Sequence, residues 1–185
     1  MNPLLSERLV IRRFEPTDWR DLYEYLSDPE VLLYEPYEVF TEEQAKEEAI
    51  RRSQLDTFPA VCLKESGKVI GNLYFAKGEF GTWEVGYVFN RFYQGKGYAT
   101  ESARMLVDYV FTEFGARRIV AKCDPLNERS WRLLERLKMR REGHHLQNVS
   151  FKTDAEGTPI WKDTFVYAIL QTEWSAEHES TSGSL

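Results

Sequence analysis

The segment Gln94-Gly95-Lys96-Gly97-Tyr98-Ala99-Thr100 holds residue types suited to gripping a phosphate. A helix N-terminus carries unpaired backbone N–H groups and the positive end of the helix dipole. Glycine ahead of it lets a phosphate reach the main chain. Gly95 and Gly97 remove side chains that would block the approach, Ala99 keeps the first turn slim, and Lys96 adds positive charge. Two familiar phosphate loops do not fit. A Walker-type loop needs Gly-Lys-Ser/Thr, which does not occur. A dinucleotide fingerprint needs three glycines after the first strand of a βαβ unit, and here two glycines follow a series of short strands. Ordinary turn chemistry is the other reading open at this point.

The flanking elements must aim such a loop. Trp83 to Phe89 reads as a strand leading into it. Residues 97–114 then change period, with Ala99, Ala103, Leu106, Val107, Val110, Phe111 and Phe114 on one helical face, and Gly115 ends the run. Upstream, Phe58–Leu63 and Val69–Ala76 read as strands joined to the third by tight turns, an antiparallel meander. Leu9–Phe14 is a further strand. A helix opens at Pro16 with Trp19, Leu22, Tyr23 and Leu26 at helical spacing. Thr41 and Gln44 form a capping box ahead of a charged surface helix ending near Leu55. Arg117–Cys123 reads as a strand, 127–136 as a helix, and 140–149 and 160–170 as strands.

The 185 residues suffice for one sizeable core, and 42% hydrophobic with 14% aromatic content marks a globular chain. One domain is expected over residues 1–174, with 175–185 a polar tail that frays. The net charge of −6 argues against a nucleic-acid partner and suits cationic or amine-bearing ones, though solubility alone would also explain it. Cys62 and Cys123 sit in apolar runs, as free thiols do in a reducing cytoplasm. No cysteine–histidine spacing suits zinc, and adjacent His144 and His145 would face opposite sides of a strand, so no metal is expected. No stretch resembles a signal peptide or approaches membrane-span length, so a cytoplasmic protein without a membrane partner is expected.

The order of these elements, with Gln94, Gly97 and Ala99 at Gln/Arg-x-x-Gly-x-Gly/Ala spacing, resembles the GNAT superfamily of acetyl-CoA-dependent N-acetyltransferases. The resemblance runs from about Ser6 to Trp174 and is nearest to the branch that acetylates ribosomal-protein N-termini at alanine or serine. Its motifs are Glu7-Arg8-Leu9-Val10-Ile11-Arg12, Glu84-Val85-Gly86-Tyr87, Gly95-Lys96-Gly97-Tyr98-Ala99-Thr100-Glu101, and the pair Asn127 and Ser130. It implies an α/β fold with a mixed, mostly antiparallel sheet of about seven strands flanked by about four helices. It implies that amides of Gly95 to Thr100 hold the pyrophosphate of acetyl-CoA and that the pantetheine arm pairs with backbone near Val88 and Phe89, in a slot where that strand splays from Arg117–Cys123.

The chemistry implied is direct attack of a neutral amine on the thioester. Glu84 stands where the family often places a base, with a plain surface carboxylate as the alternative. A bulge at Val88 or Phe89 would free an N–H for the thioester carbonyl. Ser130 is the expected proton donor to the thiolate, or else a hydroxyl bonded to its own helix. Asn127 fits the pantetheine amide, a helix N-cap, or both. Tyr34, Glu35 and Tyr37 lie where the family builds its acceptor lid, with Glu35 countering an amine's charge; ordinary packing is the alternative. Trp161-Lys162-Asp163 resembles a late segment that also borders acceptors. One departure stands out: Leu137-Lys138-Met139 replaces a leucine-glycine-phenylalanine turn, at roughly 1 kcal/mol if that lysine has positive φ. The acceptor is expected to be a protein N-terminal α-amine. A small amine (polyamine, amino acid or aminoglycoside) and a non-catalytic acyl-CoA-binding module remain alternatives, and a homodimer remains open.

Overall fold

The computed structural model describes the backbone of residues 1–182 and the side chains of residues 1–176. The strands are β1 (Leu4–Leu5), β2 (Leu9–Arg12), β3 (Ala60–Leu63), β4 (Val69–Lys77), β5 (Thr82–Phe89), β6 (Arg118–Cys123), β7 (Arg140–Thr153) and β8 (Pro159–Leu170). The helices are α1 (Trp19–Leu26), α2 (Glu42–Ser53), α3 (Tyr98–Phe114), α4 (Glu128–Arg136) and α5 (Gln171–Ser182). All eight strands form one sheet in the order β1-β2-β3-β4-β5-β6-β8-β7. Every neighbouring pair is antiparallel except β5 and β6, which are parallel. The mixed α/β fold is as expected, with one strand and one helix more.

The extra strand is β1. Its two residues pair with Val10 and Ile11, too short a run for alternation to reveal. The extra helix is α5, which begins before the expected boundary at 174 and crosses it. Trp174 is 4% exposed, its ring centroid lies 6.3 Å from that of Phe111, and its Nε1 donates to Asp108 at 2.5 Å. Glu173 accepts the Leu170 amide at 2.8 Å, which anchors the first turn. The helix backbone therefore runs past the expected boundary at 174. Of the polar tail, residues 183–185 lie outside the described residues.

Apolar side chains pack on both faces of the sheet. Against one face, α3 and α4 close a core that includes Leu106, Val110, Leu133, Ile119 and Tyr167. Against the other, α1 and α2 cover Ala60, Cys62 and Val69. The capping box of α2 forms as expected, with Thr41 Oγ1 accepting from Gln44 N at 3.2 Å. That helix is not wholly a surface element, since Ala45, Ala49 and Arg52 are buried, Arg52 with its charge paired to Glu48 at 2.6 Å. Phe114, expected on the apolar face of α3, is 43% exposed, yet its ring still lies 4.5 Å from that of Trp83.

What positions a site is the break in the middle of the sheet. β5 and β6 pair only at Thr82–Arg118, Trp83–Ile119 and Glu84–Val120. Beyond Glu84 the strands diverge, while β5 stays paired to β4 up to Phe89. A wedge-shaped gap opens at the C-terminal end of β5 and points at the N-terminus of α3.

Candidate active site

The N-terminus of α3 has the geometry of an anion cradle. Gly95 and Gly97 have φ of +76° and +84°, a region open to glycine at little cost. Gly97 is the N-cap and offers no side chain to cap the helix. Among the described residues no protein group accepts from the amides of Tyr98, Ala99 and Thr100. Three bare N–H groups at the positive end of a 17-residue helix form a site for a phosphate.

Cations surround it. Arg8 on the loop before β2 donates to Lys96 O at 3.0 Å and clasps Glu101 at 2.8 and 2.5 Å, and its guanidinium lies 4.6 Å from the Tyr98 ring centre. Lys96 Nζ sits 5.3 Å from the Tyr93 ring centre. Arg136 Nε donates to Thr100 Oγ1 at 3.3 Å. Gln94 ties the loop to its neighbours: Nε2 donates to Phe89 O at 3.2 Å, and Oε1 accepts from Arg129 of α4. Sequence reasoning gave no role to Arg8, Arg129 or Arg136. Only Arg8 carried a signal, inside the Glu7–Arg12 motif.

The gap between β5 and β6 runs from this cradle into the molecule. Gly78 N donates to Thr82 O, and Asn90 N to Ile70 O, which sets the ladder's phase. Even-numbered residues of β5 thus turn their backbone groups to β4, and Val85, Tyr87 and Phe89 turn theirs into the gap. Two expectations change. The backbone of Val88 pairs with Asn72, so Tyr87 and Phe89 are the partners available to a ligand in the slot. No bulge occurs in β5, whose register with β4 is unbroken; the free N–H groups arise because β6 leaves.

A cavity of about 430 Å³ lies at the inner end of the slot, with Glu84, Tyr87, Asn127 and Ser130 on its wall. Glu84 is on β5, and its Oε2 accepts from Lys122 Nζ at 2.9 Å. Asn127 caps α4, accepting Ser130 N on Oδ1 at 3.2 Å, which leaves its amide N–H groups for a ligand. Ser130 Oγ and Tyr87 Oη are 3.0 Å apart, and Tyr87 Oη also donates to Ser130 O at 3.0 Å. Burial drives the Tyr87 phenol well above its ordinary range, an effect the Ser130 hydroxyl partly offsets. Burial likewise pushes the neighbouring Cys123 thiol up to about 11. Both groups are protonated donors near neutral pH. Tyr87 escaped sequence reasoning because its partner is 43 residues away.

A family model described as an acetyltransferase (GNAT) domain matches residues 8–140. The chain belongs to the GNAT acetyltransferase family. It is an acetyl-CoA-dependent N-acetyltransferase. A curated relative named as the uncharacterized N-acetyltransferase YnaD of Bacillus subtilis (strain 168) is 42% identical over 93% of this chain and 99% of its own. The crystal structure of a GNAT-family acetyltransferase from Bacillus anthracis superposes with a TM-score of 0.85 at 37% identity, over 92% of this chain and 99% of that one. A ribosomal-protein alanine acetyltransferase from Vibrio fischeri shares the fold, with a TM-score of 0.76 at 22% identity over 94% of this chain and 99% of that one.

In this acetyltransferase one side of the cavity is roofed by the segment after α1. Tyr34, Glu35 and Tyr37 all line the cavity, together with Lys162 and Asp163 from β8. Tyr34 Oη donates to Leu126 O at 3.2 Å. Lys162 Nζ donates to Leu33 O at 3.2 Å and to Asp124 Oδ2 at 3.1 Å. These bonds tie the roof to the approach to α4 and to β8. Glu35 is half-buried, and removal from water pushes its carboxyl up to about 7. Gln94 to Thr100 stand at the outer end of the slot and are not part of the cavity wall. Trp161 is 55% exposed and borders a second trough beside β7, which shares Val149 and Phe151 with the cavity.

Proposed function

We propose that this acetyltransferase moves the acetyl group of acetyl-CoA to the α-amine of a protein N-terminus, by direct attack and without a covalent enzyme intermediate. One observation carries the reading: the strands β5 and β6 part between the bare amides of α3 and a cavity that shares Val149 and Phe151 with the trough along β7. The amides of residues 95–100 hold the diphosphate. Tyr87 and Phe89 offer backbone partners to the pantetheine arm, and Asn127 offers its side-chain amide. The acyl end then reaches the cavity beside Ser130, whose hydroxyl protonates the departing thiolate. A carboxylate on the cavity wall takes the ammonium proton. The trough beside Trp161 and Phe151 suits the residues that follow an N-terminal amine, which a free small amine would not need.

A second reading, a small cationic amine, draws on the roof that Tyr34 and Lys162 tie over the cavity. The free thiols of Cys62 and Cys123 support work in a reducing cytoplasm. Thiol release from acetyl-CoA tests the proposal against peptides with free N-termini, polyamines and aminoglycosides. Turnover with peptides is expected. Turnover with polyamines or aminoglycosides alone would transfer the assignment to the second reading, and coenzyme A binding without thiol release would leave a binding module.

A further inference from the structure

We infer that Glu35 is the catalytic base of this acetyltransferase. The inference rests on the transferase reading above. Two carboxylates on the cavity wall compete for the role, Glu84 and Glu35. Glu84 Oε2 already holds Lys122 Nζ at 2.9 Å, and the side chain is 39% exposed. Glu35 is half-buried under the roof. Its amide donates to Leu32 O at 3.1 Å, so the backbone turn stands without its side chain. Among the described residues its carboxylate has no hydrogen-bond or ion-pair partner.

The other charges around the cavity are matched. From β6 and β8, Asp124 pairs with Lys162 at 3.1 Å. Asp163 accepts from the Gln147 amide at 2.8 Å and lies 2.9 Å from His144 Nε2. Tyr87 on β5 is engaged with Ser130, and Cys123 at the end of β6 is held as a thiol. In the roof, Tyr34 is spent on Leu126, and burial raises the Tyr37 phenol, so it is neutral. Among the described residues no side chain pairs with Glu35, and an incoming ammonium is the partner it lacks.

The step balances as follows. R–NH₃⁺ gives one proton to the Glu35 carboxylate. The freed nitrogen pair bonds the thioester carbon, and the C–S bond breaks with its pair on sulfur. The second amine proton reaches the thiolate through the Ser130 and Tyr87 hydroxyls, and Glu35 returns its proton to water. A base near 7 lies about one unit below an α-amine, near 7.7–8.0, and over three below a lysine-type amine, near 10.4.

The test is kcat/KM against pH for the full-length enzyme and for Glu35→Gln, Glu35→Asp and Glu84→Gln. The acceptors are a peptide with a free N-terminus, the same peptide N-acetylated with a free lysine, and spermidine. The wild type is expected to show a rising limb near 7 with every acceptor it uses. Glu35→Gln should lose about 100-fold or more in kcat together with that limb, at unchanged coenzyme A affinity, and Glu35→Asp should restore the limb at a reduced rate. A Glu35→Gln enzyme within twofold of wild type, or a limb lost only in Glu84→Gln, would overturn the assignment. A wild type that releases no thiol with any amine would instead fell the transferase reading, and this assignment with it.

Discussion

Ser130 and Tyr87 form one hydroxyl pair on the cavity wall, because each hydroxyl is the other's partner at 3.0 Å. Ser130→Ala and Tyr87→Phe are each expected to lower kcat by about 100-fold, with the double variant little worse than either single one. Turnover with acetyl-CoA and with a thioester of a more acidic thiol checks this; the loss should shrink for the better leaving group. Full activity in both single variants would reduce the pair to packing. Asn127 and Ser130 were legible because an Asn-x-x-Ser spacing on a short helix is a local pattern, and its capping bond is local too. Tyr87 was not, since its meaning depends on β5 and α4 meeting across the cavity. Glu35 was legible as a carboxylate among aromatics. That its carboxylate forms no ion pair among the described residues is a property of the assembled roof, which residue order cannot display.

The elements carry different demands. At the start of α3, Gly97 with φ of +84° frees the amides behind it, and a Cβ there would already meet Arg8 at 3.4 Å. Gly97→Val should weaken coenzyme A binding by at least about 100-fold while circular dichroism shows a folded protein, since the strain of a β-branched residue at positive φ falls on the loop. Normal affinity by calorimetry would remove the cradle. Between β4 and β5 the demand is closeness: a Cβ on Gly71 would stand 2.5 Å from Val88 O. Gly71→Ala should cost about 1–3 kcal/mol in denaturant unfolding. At the end of α4, Lys138 has φ of +61°, and Met139 N donates to Leu134 O at 3.0 Å. The turn expected to want glycine keeps its backbone shape with lysine, so Lys138→Gly should gain about 1 kcal/mol. The long amphipathic α3, the capping box of α2 and the meander were legible from period and turn residues. β1 and α5 were not, because one is two residues long and the other is anchored chiefly by a single tryptophan.

For the whole molecule, stability against pH combines two opposed classes of carboxylate. Hydrogen bonds and ion pairs hold Glu24, Glu142 and Glu173 below their ordinary values, with Lys68, Arg118 and the Leu170 amide as the leading partners respectively. Their contribution is complete above the unfolded value near 4.3 and is lost as pH falls through the lower folded values. Glu35 works the other way. Its raised carboxyl binds a proton more tightly in the fold, so its ionisation weakens the fold as pH rises from about 4.3 toward 7. Glu35→Gln should therefore raise the melting temperature at pH 8 and leave it nearly unchanged at pH 4.5; equal shifts at both would argue against a raised carboxyl. Removal of acid stability by protonation is common to many folds, but a gain at alkaline pH from deleting one glutamate marks a group kept for chemistry.

The divergence of β5 from β6 also makes the sheet two flaps joined at a short seam. Only three residue pairs stitch the flap of β1 to β5 to that of β6 to β8, and α3 bridges them from behind. A molecule lodged between the flaps would supply the rungs that the ladder omits. Amide deuteration at Val85, Tyr87 and Phe89 should then slow sharply when coenzyme A is present, while the outer strands change little. The enzyme would be most cohesive when loaded and loosest just after the spent thiol departs.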